Sequence, residues 1–166
     1  MAESFRPAEI LAVLERHGVE FVVIGGLAAA LHGSPFVTTD IDVTPRRARK
    51  NLERLSAALK ELDARIRTEA VPGGVPFDHN ASSLGGVSLL NLTTRFGDLD
   101  ISIEPVGTSG YEDLARDAKP FDLSGVRVLV ASLADVVRSK EAAGREKDRL
   151  VLPTLRRLLE EGRAVE

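Results

Sequence analysis

Val22-Val-Ile-Gly-Gly-Leu-Ala-Ala-Ala-Leu-His-Gly-Ser-Pro-Phe-Val-Thr-Thr-Asp-Ile-Asp-Val43 is the stretch whose reading decides the fold. It opens inside an apolar, β-branched run, Val19 to Ile24, which predicts a strand buried on both faces. Gly25-Gly26 breaks that run, and the alanine-rich Leu27 to Leu31 predicts a helix ending at His32-Gly33-Ser34-Pro35. A strand that ends in two glycines and opens a helix offers bare backbone N–H groups, an arrangement suited to phosphate oxygens. By itself such a pair is more often a tight turn.

A second strand follows over Thr39 to Val43. Side chains alternate along a strand, so Asp40 and Asp42 project from one face while Ile41 and Val43 enter the core. Adjacent carboxylates repel and raise each other's pKa unless a cation lies between them, and hard oxygen ligands of this kind suit Mg²⁺. The plainer alternative is a pair of solvated aspartates on a strand edge, but Asp is disfavoured in strands. In Gly97-Asp-Leu-Asp-Ile-Ser-Ile103, Asp98 and Asp100 again share a face. If that strand lies beside the first, Asp100 completes a triad for metal-assisted chemistry, as ligand or as general base for a hydroxyl. Asp98, next to the turn, is expected to be solvated.

Outward from this centre, Pro7 to His17 predicts a helix closed by Gly18. Pro45 is expected to open a charged helix over about Arg46 to Leu62, and residues 70–87 form the longest loop. Ser88 to Thr94 and Asp98 to Ile103 pair through Arg95-Phe-Gly97. A helix near Tyr111 to Ala118, a strand over Val126 to Ala131, a helix from Leu133 to Ala143 capped by Ser132, and a helix over about Lys147 to Glu160 complete the series. The element order predicts one α/β (α+β) domain over residues 1–166, a mixed sheet covered by helices with the C-terminal helices packed on it.

Composition agrees. The 166 residues are 43% hydrophobic, enough for a real core. No cysteine is present, and His17, His32 and His79 share no helical spacing, which excludes disulfides, thiolate zinc, iron–sulfur clusters and a zincin helix. The absence of a signal-like start and of a long apolar run points to the cytoplasm, with no membrane partner. The net charge of −3 is unevenly spread, because residues 45–67 carry eight Lys/Arg against three Asp/Glu and residues 138–157 carry seven against three. Those basic segments keep nucleic acid open as a partner.

Gly25-Gly26, a thirteen-residue spacer, Asp40-Ile-Asp-Val43 and a later strand carrying Asp100 resemble the signature of the polymerase-β-type nucleotidyltransferase superfamily. Among its members the chain is most similar to small AbiEii-type toxins and minimal nucleotidyltransferases, and Leu133 to Asp148 resembles their helical Lys…Arg-x-Lys-Asp segment. The resemblance implies transfer of a nucleoside monophosphate from an NTP to an acceptor hydroxyl, on a tRNA 3′ end, a protein or a small molecule, with release of pyrophosphate. It also implies two Mg²⁺ ions, or Mn²⁺, on Asp40, Asp42 and Asp100, triphosphate contact by Gly25, Gly26 and Ser34, and a cognate antitoxin if the chain is a toxin. The basic residue usual before the Asp-x-Asp is replaced by Phe36, and Lys140 and Lys147 are the candidates to restore that charge, with Asp148 to orient them. Alternatively, Arg145, Lys147 and Asp148 form a plain ion-pair cluster. A non-catalytic nucleotide- or partner-binding protein on the same fold is the competing function. His32 is expected to be packed or capping, Thr38 and Thr39 to make local bonds, and Asp78-His79-Asn80 to be solvated.

Overall fold

A computed structural model describes residues 5–165. Pro7 sits in the first turn of α1 (Pro7–Arg16), which buries Ile10, Leu11, Val13 and Leu14. Gly18, at φ +73°, turns the chain toward β1 (Phe21–Ile24). Ile24 is extended, and helix α2 (Gly25–Leu31) begins on the glycines themselves, two residues before the expected start. Strand β2 (Asp40–Pro45) pairs antiparallel with β1, and Phe21 opposes Pro45. Pro45 therefore ends a strand instead of opening a helix. Asn51, buried, accepts from Glu20 N and donates to Glu20 O and Arg46 O, which closes the corner before α3 (Arg49–Glu61).

Three elements go beyond the sequence expectation. The two-residue strand β3 (Arg65–Ile66) pairs with β4 (Leu89–Thr94), and within the loop a short helix, α4 (Ala81–Gly85), is held by reciprocal bonds between Asn80 and Ser83. After β5 (Gly97–Ser102) and α5 (Tyr111–Asp117), the strand β6 (Lys119–Leu123) pairs antiparallel with β7 (Val126–Val130). Its turn, Ser124-Gly125, has positive φ at both residues, as a two-residue hairpin requires. Pro120 is tolerated because β6 is an edge strand. Helix α6 (Leu133–Ala143) starts where Ser132 Oγ accepts from Asp135 N at 3.1 Å and ends on left-handed Gly144. Helix α7 (Glu146–Val165) runs past Glu160 and carries Pro153 internally.

The seven strands form one mixed sheet in the order β3-β4-β5-β2-β1-β7-β6, parallel at β2–β5 and β1–β7 and antiparallel elsewhere. Alternation sends Ile41, Val43, Leu99 and Ile101 into the core, where α1 and α3 cover them. Asp40, Asp42, Asp98 and Asp100 fall on the opposite face. There α2, α6 and α7 pack together at one side and leave the surface of β2, β5 and β4 open as a cleft. Among the described residues, no helix is long and apolar enough to cross a membrane.

Candidate active site

The parallel register of β2 and β5 builds the centre of the cleft: Asp40 lies opposite Asp98, and Asp42 opposite Asp100. One carboxylate oxygen from each of Asp40, Asp42 and Asp100 lies within 4.8 Å of the others, the spacing of a shared cation site. Burial, then repulsion from Asp40 and Asp100, pushes the Asp42 carboxyl from its ordinary 3.8 up to about 7, against the pull of Lys140 and Lys147. Burial also raises Asp100, while Arg67 opposes that rise. Three close carboxylates, one of them reluctant to ionise alone, fit a hard divalent ion.

Gly25 is required here by close approach. Its φ is +68°, and a Cβ at this position would fall against the Asp42 carboxylate, 2.8 Å from Cγ. At Gly26 a Cβ would lie 3.2 Å from Thr38 Oγ1. The glycines thus let the start of α2 sit directly against Asp42 of the acidic strand and against Thr38 just before it.

The cleft encloses about 840 Å³ and collects all the residues singled out from sequence: Gly25, Gly26, Ser34, Asp40, Asp42, Asp100, Lys140 and Lys147. Ser34 Oγ accepts from Phe36 N at 3.3 Å, so it shapes the loop as well as facing the cleft. Lys140, 16% exposed, lies 3.6 Å from Asp148, whose side chain is fully buried. Burial alone would raise Asp148, but hydrogen bonds from Arg145 and the charge of Lys140 hold its carboxyl below the ordinary range. Arg145 and Asp148 do form the expected ion pair, at 2.7 Å, but the buried Asp148 also meets Lys140 and so anchors it, whereas Lys147 lines the cleft.

Arg67 was not singled out by sequence and is central. Its Nη2 donates to Asp100 Oδ1 at 2.6 Å, its Nη1 donates to Leu92 O at 2.8 Å, and Nη1 lies 3.6 Å from Asp98 Oδ2. Asp98 is thus ion-paired as well as partly solvated. The only available signal was two basic residues flanking Ile66, which the two-residue β3 leaves too short to read.

The remaining polar residues act structurally. His32 Nε2 donates to Ala131 O at 2.8 Å, and its ring meets Phe121 edge-on. Thr38 Oγ1 donates to Asp40 O at 2.9 Å, while Thr39 lines the cleft. His79 Nδ1 lies 2.7 Å from Ser56 Oγ and Asn80 caps α4, so only part of Asp78-His79-Asn80 is solvated. Phe36, 42% exposed, stands on the cleft wall where a basic residue was expected.

No protein-family model matches the chain, and no curated protein sequence matches it. Solved structures do. A nucleotidyltransferase candidate from Thermotoga maritima superposes with a TM-score of 0.53 at 20% identity, covering 96% of this chain and 98% of its own. The lincosamide antibiotic adenylyltransferase LnuA, solved with lincomycin bound, superposes with a TM-score of 0.60 at 16% identity, covering 92% of this chain and 95% of its own. The chain has the nucleotidyltransferase fold. This nucleotidyltransferase fold is the one implied by the polymerase-β-type resemblance, and both likenesses extend over nearly the whole chain.

Proposed function

We propose that the protein is a Mg²⁺-dependent nucleotidyltransferase that moves a nucleoside monophosphate from an NTP to an acceptor hydroxyl. The observation that carries this is the gathering of Asp40, Asp42 and Asp100 against Gly25 in a cleft that also takes in Lys140 and Lys147. Mg²⁺, or Mn²⁺, held by these carboxylates would offset triphosphate charge and lower the pKa of the attacking hydroxyl. Gly25 and Gly26 bring backbone close to the triphosphate, with Ser34 beside them. Lys140, steadied by Asp148, and Lys147 offset the charge that builds on the leaving pyrophosphate. Asp100 receives the acceptor proton as the new oxygen–phosphorus bond forms. The α-phosphorus–oxygen bond to pyrophosphate breaks, and pyrophosphate leaves with the electron pair.

The acceptor is a tRNA 3′ end or a protein hydroxyl, and the chain acts as the toxin of a toxin–antitoxin pair with a small cognate antitoxin. Lys140, Arg145, Lys147 and Arg67 supply basic charge to the cleft. Of residues 45–67, however, only Arg67 lines it, so α3 lends nothing to an acceptor there. A small-molecule acceptor is a second reading, favoured by neutral and apolar groups in the cleft: Leu89, Asn91 and Ser102 on the strand pair that carries Asp100, and Phe36 and Val106 elsewhere on its wall. The likeness to LnuA supports it.

The test incubates the protein with each labelled NTP, Mg²⁺ and cell extract, followed by separation into RNA, protein and small-molecule fractions. Label entering one fraction, and lost in Asp42→Ala, is expected. Label in no fraction, or equal labelling by Asp42→Ala, would overturn the proposal.

A further inference from the structure

The acidic face is unevenly supplied with cations. Asp100 and Asp98 face Arg67, whose guanidinium is fixed at three points by Asp100 Oδ1, Leu92 O and Asp98 Oδ2. The side chain is about two-thirds buried, with 32% of its surface exposed, and its planar fork spans β4 and β5. By contrast, neither Asp40 nor Asp42 forms an ion pair among the described residues. Lys140 and Lys147 act on Asp42 only through their charge. One half of the site thus carries a directly bonded counter-ion, and the other half is met by cationic charge without a direct pair.

A second divalent ion on Asp100 would have to share that carboxylate with a guanidinium 2.6 Å away. Two cations held by one carboxylate repel in a partly buried cleft. The four carboxylates together carry a charge of −4 when ionised, so Arg67 and one divalent ion nearly balance them before any nucleotide arrives. We propose that Arg67 serves as a fixed cation in place of a second metal ion. The site then takes up one divalent ion, at Asp40 and Asp42, and Arg67 holds Asp100 turned toward the acceptor hydroxyl. This rests on the proposed function and narrows it, because the sequence resemblance brings two ions. Arg67 is a positioning residue in this scheme, acting through Asp100.

The test is Mn²⁺ titration of the full chain without nucleotide at about pH 8, where Asp42 is ionised. Free Mn²⁺ is followed by electron paramagnetic resonance and heat by calorimetry. The wild type should bind one ion per chain, and Asp42→Asn should abolish it. Arg67→Gln and Arg67→Met, which remove the charge and keep most of the shape, should bind a second ion and hold the first about tenfold more tightly. Arg67→Lys, which keeps a cation, should stay at one ion and supplies the comparison if the neutral variants do not fold. Two ions on the wild type, unchanged binding by the neutral variants, or a second ion on Arg67→Lys would overturn the inference and leave the nucleotidyltransferase reading standing. No Mn²⁺ binding by the wild type, or binding untouched by Asp42→Asn, would overturn both.

Discussion

Replacing Asp42 by Asn should stabilise the metal-free protein at neutral and alkaline pH. The folded chain holds the Asp42 carboxyl at about 7 instead of 3.8, because burial and the neighbouring Asp40 and Asp100 disfavour its charge. A carboxyl whose pKa is raised by folding leaves stability intact below its unfolded value, and stability falls as pH climbs through that value toward the folded one. At ~1.36 kcal/mol for each unit of difference, the full loss is about 4 kcal/mol, reached near pH 8. Asparagine has nearly the same shape, stays neutral and escapes the loss.

Denaturant unfolding in EDTA, from about pH 4 to about pH 8.5, measures this directly. The two proteins should be equally stable near pH 4, and the variant should lead by up to about 4 kcal/mol near pH 8. Adding Mg²⁺ at a hundredfold excess over its dissociation constant should restore about 2.7 kcal/mol to the wild type and nothing to the variant. A wild type as stable as Asp42→Asn near pH 8 in EDTA, or a gap independent of pH, would refute the reasoning. The same outcome would show that the acidic cluster is adequately solvated without a metal.

Other perturbations separate the parts of the site. Gly25→Ala forces a left-handed alanine and a Cβ against the Asp42 carboxylate, so stability should fall by about 1–2 kcal/mol from the backbone alone, with loss of Mn²⁺ binding; calorimetry showing normal binding would count against the close approach. Asp148→Asn leaves Arg145 and Lys140 facing a buried neutral amide and should cost about 3 kcal/mol in a denaturant melt. Lys140→Met should weaken NTP binding by about ten- to a hundredfold, the worth of one charge-assisted hydrogen bond, and should also lower the melting temperature because buried Asp148 keeps only Arg145 as a partner; an unchanged dissociation constant would remove Lys140 from the site.

The acidic centre was legible because its signal is local. Gly25-Gly26, Asp40-Ile-Asp and Asp98-Leu-Asp each depend on two-residue periodicity or a single turn, and the ends of α6 were readable from Ser132 and Gly144. Pro45 misled because a proline ending a strand and a proline opening a helix look alike; pairing of Phe21 with Pro45 decides between them. β6 was hidden by Pro120, which is acceptable only at a sheet edge, and edge position is a property of the assembled sheet.

By itself the sequence determined which carboxylates share a face, since side chains alternate along a strand. It could not determine which strands lie side by side, and so left open whether Asp100 meets Asp42. Only the tertiary structure decided that, through the parallel pairing of β2 with β5. It also decided that Asp148 is a buried anchor and that Arg67, the residue just past the two-residue β3, reaches across β4 to Asp100. The physical reason is that a periodic pattern constrains one element at a time, while ion pairs and registers join elements that are distant along the chain.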